Sequence, residues 1–90
     1  MIDDLPYYTL RRRLLKLEEQ VNEPWENWSV KQDLKKLLKN AQSAINELNK
    51  EVVNCRRIHK LTSQYYYLEE AAELVIHTLE KRITWARLLD

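Results

Sequence analysis

Not one of the 90 residues is glycine, and the chain has only two prolines and one cysteine. Average usage, near 7%, would put about six glycines in a chain this long. Glycine supplies positive-φ turns, helix C-caps and close backbone approach to phosphates. Without it the P-loop, the dinucleotide-binding fingerprint and the G-x-S-x-G elbow are excluded, because each needs glycine at fixed positions. Two-residue β-hairpin turns also lose their usual residues. What such a chain forms readily is continuous helix.

Cys55 has no second cysteine to pair with. An internal disulfide and a Cys–Cys metal spacing are both excluded, which favours a reducing compartment. No apolar run approaches 18 residues, so no membrane span and no membrane partner are expected. The first residues, Met1-Ile2-Asp3-Asp4, are acidic and lack an apolar core. They do not read as a signal peptide, and the sequon Asn27-Trp28-Ser29 then carries no weight. The expected location is cytoplasmic.

What is present is 44% hydrophobic and 32% charged residues, with a net charge of +1. That is the balance of one soluble globular domain over residues 1–90 with a thin core. Asp3-Asp4-Leu5-Pro6 reads as a helix start, with acids at the positive end of the dipole and proline in the first turn. Tyr7, Leu10, Leu14, Leu17 and Val21 then recur at spacings of three and four, an amphipathic seam that Asn22-Glu23-Pro24 ends. The first helix is expected at about 5–22. Ser29 is the expected N-cap of a second helix at about 29–60, with Leu34, Leu38, Ala41, Ile45, Leu48, Val52 and Cys55 on its seam.

No glycine or proline marks the end of that helix. Arg56, Arg57, His59 and Lys60 group as cations do at a C-terminus, and Glu69, Glu70 and Glu73 follow as anions do after a new start. Thr62 or Ser63 can cap. A break near residues 61–64 is therefore preferred to one unbroken helix over 29–89. The third helix, about 63–89, carries Tyr65, Leu68, Ala72, Val75, Leu79, Ile83 and Ala86 as its seam. The fold class expected is all-α: an antiparallel three-helix bundle with a short first helix and a long hairpin of helices 2 and 3. Leu14, Leu38, Ala41, Ile45, Leu79 and Ile83 are its expected core.

Chemistry is sparse. Cys55 and His59 stand at i, i+4, yet two ligands make no metal site, and Cys55 lies on the core seam. Glu73 and His77 also stand at i, i+4, whereas di-iron bundles need Glu-x-x-His on two helices. No nucleophile, base and orienter can be assembled around His59 and His77. No enzyme activity, catalytic residue, cofactor or metal is expected.

Charge is uneven. Residues 24–61 carry eight bases and four acids, and both flanking segments are net acidic. Arg11, Arg12 and Arg13 on the first helix and Lys35, Lys36 and Lys39 on the second could merge into one patch for phosphates. Helix lengths suggest a different surface. A first helix of about 27 Å cannot cover arms of about 48 and 40 Å. The distal hairpin, residues 46–75, would then stand uncovered with a full apolar stripe, and such a patch marks an interface. Val52, Ile58, Leu61, Tyr65, Tyr66 and Leu68 are its candidate residues. The preferred reading is a non-enzymatic helical interaction module, an adaptor, assembly subunit or small regulator, that pairs with itself as a homodimer or with a partner helix in coiled-coil fashion. The alternative is a nucleic-acid-binding regulator using the basic patch.

Overall fold

The computed structural model describes residues 4–89, 87% helical with no strand. The helices are α1 (Pro6–Val21), α2 (Trp28–Ile58) and α3 (Ser63–Leu89), in an all-α three-helix bundle with extents of 48 × 17 × 15 Å. Asp3, part of the expected helix start, lies outside the described residues.

Each helix end has a local cause. Pro6 opens α1 because its fixed φ suits the first turn and its missing N–H would have no partner there. At the other end Asn22 donates to the Glu18 carbonyl at 3.1 Å, and Pro24 prevents continuation. The N-cap of α2 is Asn27, whose side chain accepts from the Val30 N–H at 3.2 Å. Ser29, the expected cap, sits one residue inside the first turn; Asn27 already satisfies the orphan donor.

The break between α2 and α3 is present, and it is built without glycine. His59 takes the left-handed conformation, φ 56° and ψ 38°, and the Lys60 N–H reaches back to the Cys55 carbonyl at 3.1 Å. Thr62 caps α3: its Oγ1 accepts from the Tyr65 N–H at 3.0 Å and donates to Glu51 at 2.5 Å. The Glu51 carboxylate also accepts from Asn54 at 3.2 Å. These donors hold it below the ordinary glutamate value, with Thr62 the largest cause. The cap thus ties the start of α3 to the last turns of α2.

The six expected core residues, Leu14, Leu38, Ala41, Ile45, Leu79 and Ile83, are all buried. So are Leu34, Leu48, Ile76 and Tyr65. Of the three consecutive tyrosines, only Tyr65 points inward; Tyr66 and Tyr67 are exposed. The buried Tyr65 hydroxyl donates to Glu69 at 3.1 Å, and burial together with the Glu69 charge pushes its pKa well above the ordinary phenol value.

The position of α1 along the hairpin differs from the expectation. Glu18 meets Gln42 at 2.6 Å, Tyr7 donates to Asn49 at 2.8 Å, and Arg56 stacks over the Tyr8 ring. α1 therefore lies beside residues 39–56 of α2, not 29–45. Residues 22–27 continue along the bundle in the direction of α1 and span about 16 Å to the start of α2, within the reach of six residues. Trp25 packs into the core from this connector, its indole N–H on the Val21 carbonyl at 3.1 Å. The distal hairpin is covered as a result. Val52 and Tyr65, expected in an uncovered groove, are buried in the core of the single chain, and Leu61 and Leu68 are half-buried against it. Only Ile58 and Tyr66 of the six stay exposed.

Three substitutions test this packing and the left-handed turn. Leu38→Ala should cost about 2–5 kcal/mol in denaturant unfolding, as for a large-to-small change in a packed core; a loss under about 0.5 kcal/mol would place the seam elsewhere. His59→Gly should gain a few tenths to about 1 kcal/mol, since a left-handed residue with a Cβ is strained. His59→Val should lose at least as much, because a β-branched side chain fits that region worst.

Candidate interaction face on the third helix

The basic residues do not converge. Arg13 turns inward to α3 and holds two carboxylates: Nη1 lies 2.7 Å from Glu73, Nη2 2.7 Å from Glu80, and Nε 2.9 Å from the second Glu80 oxygen. This two-pronged contact lowers the Glu80 pKa and raises that of Arg13 further above its ordinary value, in both cases chiefly through the hydrogen bonds between them. Arg11 and Arg12 are exposed near the level of Asn49. Lys35, Lys36 and Lys39 are exposed at or beyond the other end of α1. With Glu18 level with Gln42 and Tyr7 level with Asn49, the two clusters sit roughly 10–15 Å apart along the axis. They form two small groups instead of the one expected patch.

Apolar surface remains on the side of α3 that faces away from the core. α3 differs from α1 and α2 in carrying apolar side chains on two faces. The inner face holds Tyr65, Ala72, Ile76, Leu79, Ile83 and Ala86, all buried. The outer face holds Tyr67, Ala71, Leu74, Thr78, Lys81, Trp85 and Leu88, spaced 4, 3, 4, 3, 4 and 3. Four of these are large apolar residues that stay in water: Tyr67 66% exposed, Leu74 67%, Trp85 61% and Leu88 75%. Leu89 and, at the start of α2, Trp28 extend the exposed surface at the end that α1 vacates. A 4–3 repeat is the spacing that keeps one stripe facing a second helix.

The face is also shaped and charged. Thr78, Lys81, Arg82 and Trp85 line a hollow of about 350 Å³ on it. Their spacing, i, i+3, i+4 and i+7, is the diamond that receives a knob from a facing helix. Toward the other end, Leu74 rims a groove of about 610 Å³ between α3 and α1, with Pro6 and Leu10 among its walls and Glu69, Glu70, Glu73 and His77 along its edge. The outer face is thus acidic toward its N-terminal half and basic, through Lys81 and Arg82, toward its C-terminal half.

Sequence reading missed this stripe because one seam was assigned per helix, and α3 has two. The signal was present: Tyr67, Leu74, Trp85 and Leu88 fall between the seam residues on one helical face, with Ala71, Thr78 and Lys81 at the intervening 4–3 positions. Among the described residues no group of three or more His, Cys, Asp or Glu side chains could hold a metal ion, and no helix is long and apolar enough to cross a membrane. Cys55 is buried, 3.8 Å from both Glu51 and Thr62.

The Arg13 contact sets an acid limit on stability. Because Glu80 has a lowered value in the folded state, its contribution is complete above the ordinary glutamate value of about 4.3. It is lost as pH falls through the lowered value. Glu80→Gln should cost about 1 kcal/mol at neutral pH, given partial exposure, and should flatten the fall in thermal stability below about pH 4.3. An unchanged acid limb would show that the contact carries no stability. No known protein family, curated protein or solved structure matches the chain.

Proposed function

We propose that the protein is a non-enzymatic helical interaction module, an adaptor, assembly subunit or small regulator, that docks a partner helix on the outer face of α3. One observation carries this reading: α3 has two apolar faces and the fold uses one. Leaving large apolar side chains in water forgoes about 1.5–3 kcal/mol each, a large sum beside a total stability of about 5–15 kcal/mol. Scattered exposed apolar residues need no explanation, but large apolar residues gathered on one helical face, with Thr78 and Lys81 at its middle, form a surface suited to a helix. Tyr67 and Trp85 add the large, semi-polar rings that concentrate binding energy at interface centres. An unpaired, buried Cys55 fits a reducing cytoplasmic setting.

The face should be dispensable for folding and necessary for docking. Leu74→Glu and Trp85→Glu should each leave unfolding free energy within about 0.5 kcal/mol of the parent, as surface changes do. A photoreactive residue at Leu74 should form adducts in the cells that make the protein, and Trp85→Glu should suppress them. The same group at Ser43, exposed on α2, should form none. Equal labelling from both positions, or none from position 74, would remove the reading.

A further inference from the structure

We infer that the occupant of the outer α3 face is a second copy of this chain, packed antiparallel about a twofold axis near Thr78. The inference rests on the docking reading above and adds the partner and its direction. Length comes first. From Tyr67 to Leu88 the stripe runs about 32 Å, so it asks for an equally long helix with a matching 4–3 seam, and α3 is such a helix.

Charge decides the direction. Glu70 borders the stripe near one end, and Lys81 and Arg82 stand near the other, all exposed. A parallel copy would set Glu70 beside Glu70 and Lys81 beside Lys81. An antiparallel copy sets the acidic half of each helix against the basic half of the other, twice by symmetry. Like charges so placed are destabilising and opposite charges favourable, which selects register and orientation. Glu73 and Glu80 are already held by Arg13, so the outward pairing does not compete with the fold.

Side-chain size agrees with the same direction. Ala71, the smallest residue on the stripe, comes level with the bulky end of the other copy, Trp85 and Leu88. Thr78, uncharged and short, lies where each helix meets its own equivalent. Tyr67, Leu74, Trp85, Leu88 and Leu89 are 61–75% exposed. With aromatics contributing roughly 150–250 Å² each, the covered area is on the order of the ~800 Å² per partner of a standard-size interface.

Sedimentation equilibrium of the full chain, up to millimolar concentration, tests the pairing. The wild type should approach twice its monomer mass, and Leu74→Glu should raise the dimer Kd roughly a hundredfold or more, since the change occurs twice in one interface. Glu70→Lys and Lys81→Glu should each weaken the dimer roughly three- to tenfold, and the double variant should recover most of the loss. A spin label at Tyr67→Cys, in a Cys55→Ala background whose helicity is checked by circular dichroism, should show an inter-copy distance of about 25–40 Å. A label at Thr78→Cys should show a much shorter one. A wild type that stays monomeric, a Leu74→Glu variant that pairs as well as the wild type, or a short Tyr67 distance would each overturn the proposal. A monomer whose position-74 label still forms adducts with another protein would overturn self-pairing alone; no adduct of any mass would overturn docking as well.

Discussion

A 16-residue helix cannot cover a hairpin whose arms have 31 and 27 residues. Where that helix sits along the hairpin decides which apolar side chains are sheltered. α1 sits toward the α2–α3 turn, held by Arg13 on Glu73 and Glu80, Tyr7 on Asn49 and Glu18 on Gln42. Val52, Cys55 and Tyr65 owe their burial to that placement. At the vacated end the connector offers partial cover: Trp25 lies inside, Arg87 stacks over its ring, and Arg87 also pairs with Glu23. Trp28, Leu88 and Leu89 are left outside.

The number of helices, their limits and most of the core were legible in the sequence. Leu14, Leu38, Ile45 and Leu79 follow from period alone, because a buried stripe must recur at 3.6 residues to face one way. The break at residues 59–62 was readable from cations before it and anions after it, although no glycine marks it. The offset of α1 was not readable. It depends on residues 22–27 spanning the distance to α2 through a turn at Asn22 and bends at Glu23 and Glu26, and a buried Trp25 with an indole bond to Val21 has no periodic signature. The expected offset of α1 leaves the groove between α2 and α3 open at Val52 and Tyr65, whereas the observed offset buries both.

Arg13 shows how one error of register changes the meaning of a residue. In sequence it is the third of three consecutive arginines and looks like part of a phosphate-binding cluster. In the fold the 100° step between neighbours sends Arg11 and Arg12 to water and Arg13 across to α3. Its fork matches carboxylate geometry, so a charge that reads as available is part of the packing. The same step separates Tyr65 from Tyr66 and Tyr67.

The missing glycine has a consequence for the state the chain folds from. A residue with a Cβ in place of glycine narrows the range of backbone conformations open to the unfolded chain, worth about 0.4–1 kcal/mol per position where the native backbone allows it. With about six glycines expected for this length, the unfolded ensemble is poorer in entropy by a few kcal/mol. That is a sizeable share of the stability a domain of this size can have. A thin core is thus helped by the disorder it does not have to give up. Among the described residues the local strain this leaves is at a single non-glycine position with positive φ, His59.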